Sequence, residues 1–460
     1  MLRCVASSSD NNIYNIDSNN PFEGDQIFAI ISTFMEELME SYHVMFIENV
    51  NDPFDRYKRF KKYLSDGFDI FIYLIEMYAY EDYDSNSLDG LFAIIIIGLH
   101  LGINDDRYQQ IKLAIFAEEF YHCLKDIYQS LDLFIDKCVK QRQYIPPIRQ
   151  INGAFYDEAN DINCYQIKDS CTISLIGNWA TGTMSSIETI KAIKQFKPDY
   201  LIHLGNVYQS GSVHEHLHHL IRPIKQYLPK TKTFIVPGDH SYYSGTDGIE
   251  YSLKMFGQNL SYFSLFNKHI QFQGIDNVFA NQVNKEELDW HIQRTSQAKV
   301  KGRRIVYLTH SSPVSLWNQL GYVNGMSACI NPTLFSQFEN TIDDVDAWFF
   351  SQEKSFNLMG PYIYNDHVIV RPRLIGNSSS VYKTENLSDM PGDFDVSMEI
   401  VPLPQPLGVY PSRYLTMLNT CFVIIKINSK RIKINYYELC QIEMGVYDKP
   451  KLLLQEIIDV

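Results

Sequence analysis

The chain is 460 residues long, with 45% hydrophobic and 20% charged residues and a formal net charge of −14. This composition supplies enough apolar residues for hydrophobic cores and too few charges for a disordered chain. The acidity excludes a protein that binds nucleic acid through a basic face. The length predicts two or three domains.

The acidic residues are concentrated at the start of the chain. Residues 1–150 hold 13 Lys/Arg and 24 Asp/Glu, a net charge of −11, whereas residues 151–460 carry only −3. The charge therefore indicates an acidic N-terminal module joined to a nearly neutral C-terminal one.

The N-terminal module has a helical pattern. Its apolar residues recur three, four or seven positions apart, as Ile27, Ile31 and Phe34 illustrate, and this spacing is typical of amphipathic helices. We predict an α-helical bundle over residues 25–145, preceded by a disordered tail at 1–24. A groove or surface of this acidic bundle is our expected docking site for a protein partner.

The cysteines and the N-terminus bear on the compartment. None of the eight cysteines forms a CxxC pair, which favours reduced thiols in a cytosol-like environment. The first 20 residues lack the apolar segment of a signal peptide. The longest apolar run, Leu91–Leu99, is far shorter than the ~20 residues of a membrane span. We predict a cytoplasmic protein with no membrane span, and leave open export through a specialised secretion system, as for a bacterial effector.

The pattern changes after a predicted linker at residues 146–169. Short β-branched runs now alternate with glycine and proline turns, and an amphipathic helix, Ser185–Phe196, lies between the first two runs. This alternation predicts βαβ units and an α/β domain over residues 170–445. The predicted strands are Thr172–Ile176, Tyr200–Leu204, Thr233–Val236 and Ile305–Leu308, with a β-hairpin at Phe422–Ile427 and Ile432–Tyr436. We assign residues 446–460 to a C-terminal tail.

A polar cluster follows each predicted strand, where open α/β sheets carry their functional groups. The five segments read GNWATGT from Gly177, LGNVY from Leu204, VPGDHSYY from Val236, LTHSSP from Leu308 and WFFSQEK from Trp348. In this order they resemble the calcineurin-like metallophosphoesterase family, whose segments read GDWGTGT, LGDVYYSG, VPGNHD, THH and WGHEH. The resemblance spans Thr172 to Tyr437. It implies a four-layer α/β/β/α sandwich, to which the helical bundle would be added.

The resemblance also implies a hydrolase in which two divalent ions clamp a phosphate and generate a hydroxide nucleophile. This sequence departs from the family at nearly every ligand position. Amides replace the family's aspartates at Asn178 and Asn206, Asp239 replaces its asparagine, and Gln352 and Lys354 replace its two histidines. Two residues of the pattern are kept: the ligand His310 and His240, which in the family assists the leaving group.

These substitutions change what the site is able to bind. Asn178, Asn206 and Lys354 offer two neutral amides and a cation in place of two carboxylates and an imidazole, and the ammonium repels a divalent ion. We expect Lys354 to replace the charge of the ion and to pair with Asp239 or with amide oxygens. No cofactor is expected. At most one divalent ion of the Mn, Zn, Fe or Mg class would bind, at Asn206, Asp239, His310 and Gln352.

Three functions follow from this pattern. The leading hypothesis is a pseudo-phosphoesterase that acts by binding or regulation. The second is a phosphoesterase that works with one metal ion through His240, His310 and Asp239. The third is a sensor in which Lys354 replaces the ions and the pocket binds phosphate or a nucleotide without turnover.

A histidine-rich stretch, His214–His219, stands apart from the five segments. His214 and His218 are four positions apart, a spacing that places two imidazoles on one helix face and is compatible with zinc binding. We favour a solvated helix face for this stretch.

Overall fold

The structure is a computed structural model, and it describes residues 161–182, 184–208, 211, 213–242, 246–278, 282–315, 320–323, 326–379, 409–411, 416–443 and 446–460. The helical bundle, the tail before it and most of the linker, all predicted within residues 1–160, lie outside the described residues. Among the residues described, no helix is long and apolar enough to cross a membrane.

The described elements alternate between strands and helices in the first half and are mainly strands in the second. The strands are β1 (Cys164–Gln166), β2 (Cys171–Ile176), β3 (Tyr200–His203), β4 (Lys232–Ile235), β5 (Phe263–Phe266), β6 (Ile270–Ile275), β7 (Arg304–Thr309), β8 (Gly321–Val323), β9 (Met326–Ala328), β10 (Ala347–Phe350), β11 (Phe356–Leu358), β12 (Tyr362–Tyr364), β13 (His367–Ile369), β14 (Pro372–Ile375), β15 (Val409–Pro411), β16 (Thr416–Leu418), β17 (Thr420–Ile427), β18 (Arg431–Leu439), β19 (Gln441–Glu443), β20 (Val446–Tyr447) and β21 (Lys451–Asp459). The α-helices are α1 (Met184–Lys194), α2 (Val213–Glu215), α3 (Arg222–Tyr227), α4 (Asp247–Phe256), α5 (Lys285–Val300) and α6 (Pro332–Phe338). A π-helix (His216–Ile221) joins α2 to α3, and two 3₁₀ turns lie at His240–Tyr242 and Ile342–Asp344.

Two mixed sheets form the framework of the domain. The first has six strands in the order β21-β18-β17-β2-β3-β4, of which β2, β3 and β4 are parallel. The second has seven strands in the order β1-β5-β6-β7-β10-β14-β11, and its central strands β6, β7, β10 and β14 are parallel. The central strands are apolar and almost wholly buried, as expected for parallel strands covered on both faces.

Three hydrophobic cores define the layers. One contains Leu175 and Phe234 of the six-stranded sheet together with Phe272 and Phe349 of the seven-stranded sheet, so it lies between the two sheets. A second core joins the six-stranded sheet to α1, α3 and α4. A third joins the seven-stranded sheet to α5 and α6. The described residues therefore form an α/β sandwich of helices, sheet, sheet and helices.

Local sequence accounts for the ends of several helices. Asn284 is the N-cap of α5, and its side chain accepts hydrogen bonds from the backbone N–H groups of Glu286 and Glu287. Asn331 caps α6 in the same way, through Leu334. Helix α4 ends at Gly257, whose φ of +68° is the left-handed conformation common at helix C-termini.

The C-terminal strands extend the domain beyond its predicted end. The predicted hairpin is confirmed, because β17 and β18 pair in antiparallel register from Thr420 opposite Leu439 to Ile427 opposite Ile432. Strand β21 then pairs antiparallel with β18. It lies within residues 446–460, so the predicted C-terminal tail is wrong, and Leu453 and Ile458 belong to the core between the two sheets. Strand β1 likewise lies within the predicted linker and pairs with β5.

Candidate active site

The site lies where loops from the two sheets meet. The loop after β2 exchanges backbone and side-chain hydrogen bonds with the loop after β14: the N–H of Gly177 donates to Ser378 Oγ at 3.0 Å, and the N–H of Ser378 donates to the carbonyl of Gly177 at 3.1 Å. The loops after β3, β4, β7 and β10 carry the remaining residues of the candidate site. The fold therefore brings together all five segments singled out in the sequence.

Asn178 is fully buried and uses both halves of its side-chain amide. Its Nδ2 donates to the carbonyl oxygens of Ser351 at 2.6 Å and Gly376 at 3.0 Å. Its Oδ1 accepts a hydrogen bond from Nδ2 of Asn206 at 3.0 Å. The backbone here has a φ of +51°, in the left-handed region that asparagine tolerates better than most residues.

Asn206 is also buried and has a left-handed backbone, with a φ of +68°. Besides its bond to Asn178, its Nδ2 lies 3.3 Å from the hydroxyl of Tyr208. Its Oδ1 accepts a hydrogen bond from the backbone N–H of His240 at 3.0 Å. Both amide oxygens at these two positions thus accept hydrogen bonds from protein groups.

His310 and Asp239 form a pair across the site. Nε2 of His310 lies 3.1 Å from Oδ1 of Asp239, and Nδ1 lies 3.0 Å from both the carbonyl oxygen of Leu204 and the hydroxyl of Ser351. Because a carboxylate and a carbonyl are both acceptors, the arrangement is satisfied when both imidazole nitrogens donate. Both ring nitrogens of His310 therefore already face protein groups.

The charge state of Asp239 follows from this pair. Desolvation by the surrounding loops opposes ionisation, but 41% of the side-chain surface stays exposed. The hydrogen bond from His310 and the positive potential of the His240 and His310 imidazoles outweigh desolvation and hold the pKa of Asp239 well below its ordinary value. Asp239 is therefore a carboxylate that already has an imidazole partner.

Gln352 and Ser351 follow β10. Oε1 of Gln352 accepts a hydrogen bond from the backbone N–H of Ser312 at 2.9 Å, so this oxygen serves to join the loops after β7 and β10. Ser351 occupies the glycine position of the family segment. Its hydroxyl donates to the carbonyl oxygen of Leu204 and lies beside Nδ1 of His310.

Lys354 and His240 both lie close to the aromatic ring of Tyr208. The ammonium of Lys354, whose residue is only 6% exposed, lies 5.4 Å from the centroid of the Tyr208 ring. The buried imidazole of His240 lies 4.5 Å from the same ring, centroid to centroid. The site therefore holds a buried cation near the ring of Tyr208. Its pairing with Asp239 stays a prediction.

The two ions that the family resemblance implies do not fit this arrangement of donors. The amide nitrogens of Asn178 and Asn206 donate to neighbouring acceptors. The amide oxygens of both residues accept hydrogen bonds from protein groups. Hard divalent ions require anionic or neutral oxygens and unprotonated imidazoles. Within the described residues, no group of three or more His, Cys, Asp or Glu side chains is placed to hold a metal ion.

Comparison with known proteins supports the family. A family model described as calcineurin-like phosphoesterase matches residues 182–351. The resemblance to this family is therefore confirmed. A search of curated proteins gave no match.

The solved structures that resemble this phosphoesterase-like chain are distant. A purple acid phosphatase from yellow lupin (Lupinus luteus) seeds is 13% identical, with a TM-score of 0.42 over 58% of this chain and 51% of that one, so this chain spans about half the length of the lupin enzyme. A dimetal phosphatase from Danio rerio is 9% identical, with a TM-score of 0.37 over 62% of this chain and 98% of that one. GAP50, the anchor in the inner membrane complex of Plasmodium, is 12% identical, with a TM-score of 0.38 over 62% and 90%. These likenesses are too weak to bear on activity.

Sequence reasoning missed the loop after β14, which supplies acceptors to Asn178. A signal was present, because the tetrapeptide Leu-Ile-Gly-Asn occurs twice, ending at Asn178 and at Asn377. Both copies end a strand of a sheet and begin a loop of the site. Ser351 and Tyr208 were also missed, since each lies inside a segment where only the family's ligands were considered.

The histidine-rich stretch differs from the expected solvated face. His214 is exposed, but His216, His218 and His219 are buried. The π-helix turns these imidazoles inward, where Nδ1 of His219 lies 2.8 Å from the carbonyl oxygen of Tyr208. The rings of His214 and His218 stack with their centroids 4.1 Å apart. His219 thus supports Tyr208 beneath the candidate site.

Proposed function

We propose that this chain is a pseudo-phosphoesterase: it keeps the phosphoesterase fold as a scaffold and acts by binding or regulation instead of by hydrolysis. The observation that carries the proposal is the amide pair of Asn178 and Asn206, which are joined at 3.0 Å where the family has carboxylates. Two-metal hydrolysis depends on anionic ligands that hold both ions near the phosphate. Two neutral amides that hydrogen-bond to each other supply no such charge.

The remaining ligand positions support the same conclusion. His310 is engaged through both nitrogens, and Oε1 of Gln352 accepts a backbone hydrogen bond. Asp239 contributes one carboxylate, which already pairs with His310. A phosphoesterase that uses a single metal ion at Asn206, Asp239, His310 and Gln352 is the enzymatic alternative. Its ligands would be one carboxylate, one imidazole and two neutral amides, a weaker set for a divalent ion than the family's.

Metal content and turnover together test the proposal. The full-length protein, purified without chelators, is expected to contain less than stoichiometric manganese, iron or zinc. It is also expected to show no hydrolysis of phosphomonoesters or phosphodiesters above the rate of a His310→Ala, Asp239→Asn double variant when manganese is supplied. Stoichiometric metal, with turnover that the double variant loses, would establish the single-metal enzyme instead.

A phosphate or nucleotide sensor is the second candidate. It is favoured by the ammonium of Lys354, which is buried beside Tyr208 and within the former metal centre. A ligand that binds only the folded state raises its thermal stability by mass action. The sensor therefore predicts a higher unfolding temperature with phosphate or a nucleotide, and loss of that rise in Lys354→Ala. An unchanged unfolding temperature in the presence of both ligands would rule the sensor out.

The partner surface is proposed to be the acidic segment of residues 1–150, which lies outside the described residues. With a net charge of −11, this segment would attract a basic protein surface. Binding to such a partner is expected to weaken as salt is added, because salt screens exposed charges beyond about 10 Å at 0.1 M. Cytoplasmic placement and export by a secretion system both stay predictions.

A further inference from the structure

Hydrogen-bonding side chains join the two sheets at the positions where the calcineurin-like family has its metal ligands. Asn178 follows β2 of the six-stranded sheet, and its two acceptors, the carbonyl oxygens of Ser351 and Gly376, follow β10 and β14 of the seven-stranded sheet. One buried amide therefore connects three strand ends from both sheets.

A second connection runs in the opposite direction. His310 follows β7 of the seven-stranded sheet and reaches the carbonyl oxygen of Leu204, after β3, and the carboxylate of Asp239, after β4. The hydroxyl of Ser351 adds a further bond to Leu204. We call the side chains of Asn178, Asn206, Asp239, His310 and Ser351 the amide–imidazole network.

We infer that the amide–imidazole network is a metal-independent cross-link between the two sheets. Because of this network, a single substitution that restores a metal ligand of the family destabilises the folded protein. This inference deepens the proposed function and rests on it, because the network occupies the positions from which a metal-dependent relative would hold its ions. Metal ions in such a centre bind ligands from several strand ends at once and so stabilise the folded state. Here buried hydrogen bonds serve that purpose.

The direction of the hydrogen bonds explains why restoring a single family ligand is destabilising. An aspartate at position 178 places a carboxylate oxygen where Nδ2 now lies, 2.6 Å from the carbonyl oxygen of Ser351. Two acceptors then face each other in a buried place, and the carbonyl loses its donor. Leaving a buried polar group without its partner is destabilising, more so next to a charge.

The test compares two Asn→Asp substitutions in the full-length protein by thermal unfolding. Asn178→Asp is expected to lower the unfolding temperature by roughly 5 °C or more, since a loss of 1 kcal/mol shifts a domain of this size by about 2–4 °C. The matched control is Asn428→Asp. Asn428 is exposed and only its Oδ1 is used, as acceptor for the N–H groups of Lys430 and Arg431, so an aspartate keeps both bonds. The control is expected to shift the unfolding temperature by less than about 1 °C.

The wild-type protein is measured with an excess of EDTA and, separately, with manganese chloride. The unfolding temperature is expected to be the same in both. Ser351→Ala, which removes only the hydroxyl beside Leu204 and His310, serves if Asn178→Asp does not fold, and is expected to lower the unfolding temperature by about 2–4 °C.

Two results would overturn the inference: a marked loss of stability in EDTA, or an Asn178→Asp protein as stable as Asn428→Asp. Failure of the proposed function looks different. If the protein hydrolyses phosphoesters and EDTA does not change its stability, the pseudo-phosphoesterase proposal fails and the cross-link inference holds. If EDTA lowers the unfolding temperature and the protein shows no turnover, only the cross-link inference fails.

Discussion

Asn206 donates a hydrogen bond from Nδ2 to Oδ1 of Asn178 at 3.0 Å. An amide carries both a donor and an acceptor, so two asparagines satisfy each other at this distance without a bridging ion. Two buried carboxylates at the same distance would repel each other unless a cation or a proton lay between them. The two replacements therefore make sense as a pair, since each supplies the partner that the other requires.

The first prediction concerns Asn206→Asp. The substitution removes the donor to Asn178 and brings a carboxylate to within 3.0 Å of its Oδ1, so we expect a loss of about 2–4 kcal/mol in the free energy of unfolding. Urea unfolding followed by fluorescence measures the change. Asn365→Asp, the same substitution at an exposed position whose φ of +49° is also left-handed, is the control and is expected to lose less than about 0.5 kcal/mol. Equal losses in the two variants would show that repulsion between the side chains at 178 and 206 is absent.

The second prediction concerns Gly205, which has a φ of +109° and lies against His310. A Cβ at this position would lie 2.5 Å from Nδ1 of His310. Gly205→Ala is therefore expected to cost about 3 kcal/mol or more, through backbone strain and displacement of the imidazole.

Gly302 provides the matched control for this substitution. Its φ of +68° is also left-handed, but a Cβ there would meet nothing within 4 Å. Gly302→Ala is expected to cost only about 1 kcal/mol, the price of the backbone conformation alone. If chemical denaturation gave both alanine variants the same free energy of unfolding, a Cβ at position 205 would not destabilise the protein by contact with His310.

The order of strands and helices in the α/β part could be predicted because its signals are local. The predicted strand Thr172–Ile176 differs from β2 by one residue at its start, and Ile305–Leu308 differs from β7 by one residue at each end. The sequence of β21 lacks a strict period-2 pattern, since its core residues Leu453 and Ile458 lie five positions apart and its pairing with β18 contains a register shift. Only its pairing with β18, distant in sequence, shows that it is a strand.

The site was predictable in position but not in its hydrogen bonds. The order of the motifs indicates which strand ends meet, and it predicts that Asn178, Asn206 and His310 lie close together. Which atom of an amide faces which partner depends on carbonyl groups such as those of Gly376 and Leu204. Backbone carbonyls occur at every residue, so the sequence holds no mark of the ones that an amide or imidazole uses.

The third prediction concerns a buried carboxyl group at the end of β6. Asp276 accepts a hydrogen bond from the hydroxyl of Tyr242 at 2.8 Å, and its own backbone N–H donates to Oε1 of Glu287 at 2.8 Å. Burial, followed by the negative charge of Glu287, raises the pKa of Asp276 from 3.8 to about 7. Between these values the folded protein keeps a proton that the unfolded chain has lost, so stability falls as the pH rises from about 4 to 7 and the effect levels off above 7.

The pH dependence of unfolding in Asp276→Asn tests this prediction. Asparagine is neutral at every pH and its carbonyl oxygen still accepts from Tyr242, so the variant should lose part of the downward slope, at most about 1.4 kcal/mol per pH unit. Asp343→Asn is the control. Asp343 is half exposed and its pKa is lowered, because the hydrogen bonds from Val368 and His367 outweigh desolvation, so its effect is expected below pH 4. A slope between pH 4 and 7 that is the same in wild type and Asp276→Asn would contradict the assignment.

The last prediction concerns the ion pair that ties β21 to the second sheet. Nη2 and Nε of Arg373, on β14, lie 2.6 and 3.1 Å from the two carboxylate oxygens of Glu456, on β21, and the pair is largely buried. Arg373→Met leaves Glu456 without its main cationic partner, so we expect a loss of about 3 kcal/mol in the free energy of unfolding. Glu456→Met leaves the buried guanidinium of Arg373 without its carboxylate partner, and we expect a similar loss in the free energy of unfolding.

A double-mutant cycle decides whether the two side chains act together. The double variant Arg373→Met, Glu456→Met removes both charges at once and replaces them with apolar side chains that the core between the sheets is able to accept. Its loss is expected to be smaller than the sum of the two single losses by about 1.5 kcal/mol or more. Additive losses measured by urea unfolding would mean that the two charges do not interact.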